Sequence, residues 1–480
     1  MRVAFLVCSF LALLQLQAST RYVSASGNDT SDGTSTSTPW AHAPGMVTCA
    51  STCAAYTPTS DTNIIFKGGD TWTNANFPMT IAWNGTSGHP LYIGVDKTWY
   101  TGGSWVQPLF DAQDAKIAAT LNGFVDLNSR HYVTLDNIEM KGLYWDSSVT
   151  YSALCYIRSR VSDNIILSNL YLHRWTHGGT SADDLTVILG DSNPTYNNAS
   201  TISNSTIQNA DGNNDSGEDI MAWGGSVINC ILHDSPNAIN ATGSGHVSGN
   251  LIYNGTTSFT GAHANSIQVL GSNGTHYIHD NVIRDIPIGN AISVGGFAGD
   301  TYVWNNISYN LSGVTGSVLI DGRSGTTSSV GIWNNTIVPY AGALCITNSR
   351  TGTMLAISIQ NNHCITTNAN VADATLGATT LTVDHNVLQT PTATTAQGYT
   401  SSQSPYVYFP TSGGSTIAAG TDLSANCSGS LAGLCSDTTY AAVRSPVARG
   451  VTWDAGAYQY VPPTTGSAMF GTLSTGAQVK

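Results

Sequence analysis

Two acidic doublets, Asp183-Asp184 and Glu218-Asp219, have the residue types and spacing for acid–base work. Each stands just ahead of a short apolar run, Leu185-Thr-Val187 and Ile220-Met-Ala222. Alternate residues of a strand share a face, so with the first apolar residue inward, Asp184 and Asp219 fall in one outward column that continues as Ala238, Ser266 and Ala291. Asp183 and Glu218 share the neighbouring column with Asn237, Asn265 and Asn290. Parallel strands lie about 4.8 Å apart. Asp184 and Asp219, with Glu218 as a third carboxylate, therefore suit an acid and a base or nucleophile at a glycosidic bond, once their proton affinities are pushed apart. Glu218 is one of two Glu residues in the chain, the other being Glu139.

Imidazole, guanidinium and aromatic groups gather in His173-Arg174-Trp175-Thr176-His177. Four residues past successive repeat Asn positions come His173, Gln208, His233, Asn254 and Asp285, a turn-side column in which a His serves as acid or base near neutral pH. Hence His233 joins the catalytic candidates. Trp223, outward on the Asp219 strand, is expected to stack on a sugar face, with Arg174, His173, His177, His263, Gln268 and Arg284 as further substrate contacts. Asp211 and Asp215 belong to Asp211-Gly-Asn213-Asn-Asp215, which has oxygen ligands at alternate positions as calcium loops do. Its Gly falls one place late and no Glu stands at position 12, so an ordinary polar turn is the competing reading. No cofactor is required by the pattern, and calcium is the one ion it would accept.

These residues need a scaffold, and the chain describes one. Helix signals are almost absent, and short runs of β-branched and aromatic residues dominate. Asn precedes a short strand at Asn137, Asn169, Asn204, Asn229, Asn250, Asn281, Asn306, Asn335, Asn362 and Asn386, every 21 to 35 residues. That period suits the coils of an all-β solenoid, in which each coil buries its apolar face only against its neighbours. Stacked amides satisfy one another along such an axis. Propeller blades would need a longer, regular period and hairpin turns. The expected layout is a signal peptide over 1–18, an N-terminal cap with first coils over 19–129, main coils over 130–390, C-terminal coils and cap over 391–462, and a flexible tail over 463–480. The signal reading rests on Met1-Arg2, the apolar run Val3–Leu16 and Gln17-Ala18-Ser19.

The formal charge of −13 makes nucleic acid an unsuitable partner, and no later run is apolar enough to span a membrane. A secreted monomer meeting a polysaccharide is the expectation. Nine cysteines become eight without Cys8. Cys49/Cys53 and Cys427/Cys435 are close enough to pair locally, and Cys345/Cys364 with Cys155/Cys230 are the natural remaining pairs, although spacing selects no connectivity. The absence of CxxC argues against a thiolate zinc site.

The opening Tyr22-Val-Ser-Ala-Ser-Gly-Asn-Asp-Thr-Ser-Asp-Gly-Thr-Ser35 with Pro39-Trp40, the stretch Ile64-Ile-Phe-Lys-Gly-Gly-Asp-Thr-Trp72, and Asp454-Ala-Gly-Ala-Tyr-Gln-Tyr460 resemble pectate-lyase-like secreted proteins. That resemblance implies a single-domain right-handed parallel β-helix over almost the whole mature chain. It leaves the reaction open among hydrolysis, β-elimination on a uronate polymer and binding alone, because one fold hosts many sites. β-Helix lyases commonly use Lys or Arg as base. Here Lys67, Lys97, Lys116 and Lys141 precede the main coils, leaving Arg174, Arg284 or Arg323 for that role. Hydrolysis is favoured on the aligned carboxylates, and a cleft is expected on the outer face of the coils between about 170 and 295.

Overall fold

The computed structural model describes residues 19–462 except 119–120, 147–153, 178–184, 194, 213–217, 257–264, 270–273, 296–298, 314–315, 322–327 and 350–352. Asp183, Asp184, Asp215, His263 and Arg323 lie outside the described residues, as do 1–18, 463–480 and the side chains of His177 and Glu218.

Most coils give one strand to each of three all-parallel sheets, and the chain is a right-handed parallel β-helix. The first sheet has 13 strands, from Ser19–Val23 to Ala378–Asp384. The second, also of 13, runs from Thr71–Thr73 to Val387–Gln389, with Thr176–His177 as a side branch. The third has ten, from Met79–Thr80 to Leu344–Asn348. Among the described residues no helix is long and apolar enough to cross a membrane.

Between the first and second sheets the chain turns in two residues. The first is left-handed: Asn137 (φ 62°), Asn169 (54°), Asn204 (50°), Asn229 (57°), Gly249 (65°), Asp280 (59°), Asn305 (57°), Asn334 (55°) and Asn361 (59°). Asn, Asp and Gly enter this region at least cost. The second residue is, from Asn250 onward, an Asn; the Asn250 oxygen accepts from Cys230 N–H, and from Asn281 onward the carboxamide oxygen accepts from the backbone and side chain of the Asn one coil earlier. Asn250, Asn281, Asn306, Asn335, Asn362 and Asn386 form this buried ladder at 2.9–3.1 Å. Each bond contributes about 1 kcal/mol, and an orphaned buried amide costs more than that.

The repeat Asn thus belongs to two columns one residue apart. Counting across the change at Asn250 slips the register by one. Tyr253 and Arg284, not Asn254 and Asp285, share the outward column of His173, Gln208 and His233.

Inside, one aliphatic column of the first sheet passes through Ile93, Leu135, Leu167, Ile202, Val227, Val247, Ile278, Val303, Ile332 and Ile359, all buried. Complete burial of such a side chain stabilises by about 1.5–3 kcal/mol. The C-terminal segment then folds back along the outside. Tyr399, Tyr408 and Tyr458 pack with Val282, Ile307 and Tyr309 of the second sheet. Leu423, Leu434 and Trp453 pack with Trp304 and Trp333 of the first. Arg449, 2% exposed, ties this segment down by donating to Asn305 Oδ1 at 2.9 Å and to the Gly456 carbonyl at 3.1 Å.

Three expected disulfides are present: Cys49–Cys53, Cys345–Cys364 and Cys427–Cys435. Cys155 and Cys230 are not paired. Both are free and buried, one opening a third-sheet strand and the other in the turn column, and burial pushes both thiols up to about 12.

Trp223 corrects the strand register read from sequence. The Glu218–Trp223 strand is irregular between Ile220 and Trp223, and Ala222 sits at φ 54°. One extra residue reverses the alternation. The indole, 1% exposed, therefore belongs to the core and offers no platform for a sugar.

Candidate functional site

The expected carboxylate column of the third sheet does not face solvent. Asp219 is fully buried and accepts from Ser235 Oγ at 2.7 Å. Its strand neighbours Val187 and Ala238 belong to the core, so the column faces inward. Gln268, in register with Asn240 and two positions past that column along its strand, is 8% exposed and buried as well. The Asn237, Asn265 and Asn290 column is a second amide ladder: Asn237 Oδ1 accepts from Asn265 N–H at 2.9 Å, and Asn265 Oδ1 from Asn290 Nδ2 at 2.9 Å.

Chemistry gathers instead on the outer face of the second sheet. One column reads Asp111, Lys141, His173, Gln208, His233, Tyr253, Arg284 and Tyr309 along successive coils. Two positions earlier, Glu139 lies beside Tyr171. His173, almost buried, is held between two carboxylates. Its Nε2 lies 3.1 Å from Glu139 Oε1 and its Nδ1 3.0 Å from Asp211 Oδ2. Only an imidazolium donates at both nitrogens, so a neutral ring leaves one of these contacts to a shared proton. Tyr171 stacks on the imidazole, ring centroids 4.0 Å apart, and its hydroxyl accepts from Gln208 Nε2 at 2.9 Å. Burial pushes the Tyr171 phenol up from its ordinary range.

Arg174 closes the cluster, donating to Asp114 Oδ2 and to the Asp211 carbonyl, both at 2.7 Å. The hydrogen bond it donates to Asp114 holds the guanidinium firmly charged. Its backbone is left-handed at φ 57°, where later coils carry Asp234, Asn254, Asp285 and Asn310. A long, unbranched cation in this region costs of order 1 kcal/mol or more, a strain typical of functional positions. Lys141 Nζ stands 3.7 Å from Asp111 Oδ2. Asp111, Asp114, Glu139 and Asp211 face Lys141 and Arg174, so the cluster is formally anionic.

Beside Glu139 and Tyr171 runs an open groove of about 510 Å³, lined also by Trp105, Gln107, Asn137 and Asn204. Trp105 donates from its indole to Asn137 Oδ1 at 3.2 Å and meets Tyr100 edge-on at 5.4 Å. Aromatic and amide groups along a furrow suit the apolar faces and hydroxyl rims of sugars. Among the described residues no three His, Cys, Asp or Glu converge as a metal site, and Asp211 serves His173.

Solved structures can now be set beside this geometry. A GH136 lacto-N-biosidase from Eubacterium ramulus is similar at 14% identity and TM-score 0.51, over 77% of this chain and 68% of that one. The likeness is one of fold, a right-handed parallel β-helix. Pectate lyase Pel9A aligns over 92% of this chain and 96% of its own, at 15% identity and TM-score 0.49. No protein-family model and no curated protein matches the sequence.

Sequence reasoning placed His173, Arg174 and Asp211 without seeing that they meet. His233, two coils on, stacks on Tyr253 at 4.5 Å and pairs with Asp234, while Arg284 lies over Tyr253 at 4.3 Å and pairs with Asp285. Glu139 and Lys141 were missed as site residues although the repeat marks them. Four residues past Asn137, the count that finds His173 lands on Lys141, and Glu139 stands two residues past it, where the next coil has Tyr171. Asp111 and Asp114 precede the first repeat Asn and carry no such signal. The groove accordingly lies earlier than expected, on coils contributing residues 97–206.

Proposed function

We propose that this is a secreted carbohydrate-active enzyme that hydrolyses glycosidic bonds of a neutral polysaccharide at the Glu139–His173–Asp211 cluster. The carrying observation is one imidazole bridging two half-exposed carboxylates at the edge of an aromatic- and amide-lined groove. The imidazole keeps the two carboxylates apart, one on each ring nitrogen, and an inverting glycosidase likewise needs its acid and base separated rather than adjacent. One carboxyl protonates the departing glycosidic oxygen, and the other takes a proton from the attacking water. His173 orients both. The anionic balance of the cluster favours an uncharged chain over a polyanion. Three disulfides are compatible with an oxidising, extracellular compartment.

A second reading has its own observation. Lys141 is not remote from the coils that matter but stands in register with His173, where it could take a proton α to a uronate carboxyl. A cation such as calcium would then have to offset the carboxylates. The purified protein screened on neutral and acidic glycans separates the readings. New reducing ends without ultraviolet-absorbing unsaturated products support hydrolysis, and absorbing products that vanish with chelator support elimination. Binding without turnover across the panel would remove both in favour of a glycan-binding solenoid.

A further inference from the structure

The two ends of the first sheet are finished differently. At the N-terminal end, Ser19–Val23 has a chain segment bonded along its outer edge: Tyr22 N–H donates to the Gly33 carbonyl at 2.8 Å, and Trp40 N–H to the Tyr22 carbonyl at 2.9 Å. Arg21 there lies over the Tyr56 ring at 4.2 Å. At the other end, the third sheet is bridged at Ile346 by Ala372, and the second is followed at once by the helix Pro391–Ala396, with Pro at its start and Thr390 capping Ala393 N–H. Among the described residues the first sheet has no such cover. Ala378–Asp384 pairs with Met354–Gln360 on one side, and among the described residues no strand or bridge lies beyond it.

The core columns run out at this strand. Leu381 and Val383 are in register with Ile357 and Ile359, which are 1% and 0% exposed, yet each is itself 47% exposed. Among the described residues two inward-facing aliphatics thus stand half-exposed, and the outer main-chain groups of the strand meet no further strand. The sequence Ala-Thr-Thr-Leu-Thr-Val-Asp has no Pro, Gly, Lys or Arg to blunt the edge. Its one charge, Asp384, lies at the end and pairs with His385 at 2.7 Å.

We propose that the edge strand Ala378–Asp384 is a dimerisation edge, at which a second copy of this chain adds its own Ala378–Asp384 antiparallel. The N-terminal edge is already bonded, so a head-to-tail filament has no acceptor, and the open edge meets only its like, closing as a two-fold dimer. A two-fold perpendicular to both strand and helix axis keeps the inward faces on one side. A parallel pairing would turn one copy's core residues to solvent. Centred on Thr382, the pairing sets Leu381 opposite Val383 of the second copy and Asp384 opposite Thr380, so no like charges meet. A seven-residue ladder with two aliphatics on each side is small, and the dimer is expected to be concentration-dependent.

Sedimentation of the full chain should show the mass doubling as concentration rises. Leu381→Lys with Val383→Lys should hold it monomeric with its thermal unfolding unchanged. Thr382 faces itself across the two-fold, where opposed Cα atoms of antiparallel strands lie about 4.5–5.5 Å apart, within disulfide reach. The Thr382→Cys protein should therefore form a covalent dimer on mild oxidation, lost when both lysines are added; Cys155 and Cys230 are buried and do not compete. A wild type monomeric at all concentrations together with a Thr382→Cys protein that stays monomeric overturns the proposal. So does a dimer untouched by the two lysines. If the edge is instead covered by residues 463–480 of the same chain, the wild type is monomeric and Thr382→Cys uncrosslinked, which also overturns it.

Discussion

The outer face of the second sheet is one structure with two fates. In its early coils the column of Asp111, Lys141, His173 and Gln208 runs beside an open groove bordered by Glu139 and Tyr171, with Lys141 near Asp111, His173 between Glu139 and Asp211, and Gln208 bonded to Tyr171. In its later coils the same column reaches Tyr309, and the returning C-terminal segment lays Tyr408 and Tyr458 over that end. The strand register is continuous, so the scaffold does not distinguish the halves. Cover does: where chain returns, the column carries aromatic bulk that needs burial, and where none returns it carries charge that needs water or a ligand. A solenoid can therefore keep a site and a seam on one sheet by choosing where its last segment lies.

Substitutions should divide along that line. The largest effect is expected at the open end, where Glu139→Gln or Asp211→Asn should lower kcat by roughly 10²–10⁴-fold, the usual weight of an acid or base, with thermal unfolding little changed. Loss of stability instead of activity would make the cluster a structural network. Next, Trp223→Ala should cost about 3–5 kcal/mol in denaturant unfolding, because it empties a core site. A small cost with impaired substrate handling would restore the indole to the surface.

The covered coils should be the acid-sensitive part. Burial pushes His276 and His363 down to about 4, so the fold keeps both neutral while the unfolded chain takes protons near 6.5. More protons bind the unfolded state between those values. Stability is therefore full above about pH 6.5 and falls as pH drops toward 4, by about 1.4 kcal/mol per unit for each His. Urea midpoints for His363→Asn, from neutral pH downward, should show a shallower decline than the parent. An identical decline would show that His363 is not among the groups responsible. Smallest is Trp105→Ala, which should raise KM several-fold for a long glycan at nearly constant kcat, since it touches the groove and not the bridging imidazole. An equal fall in kcat would place Trp105 in the reaction itself.

Much of the fold was legible before the coordinates. Asn at intervals of 21 to 35 residues, ahead of β-branched triplets, announces coils, and the folded chain turns that pattern into a left-handed turn column and an amide ladder. The site was legible only in pieces. His173, Arg174 and Asp211 were visible as chemistry, but Glu139, 34 residues before His173, becomes its partner only because one coil lies directly on the next.

The sequence by itself determined the architecture, since short-range preferences for turns and alternation repeat in every coil and each repetition reinforces the last. It could not determine which faces are wet. Asp219 reads as a surface carboxylate and Trp223 as a surface indole until inward packing buries the first and a one-residue bulge at Ala222 turns the second inward. Only the tertiary structure decided this, because a single inserted residue reverses every later side chain of a strand while scarcely altering the local pattern.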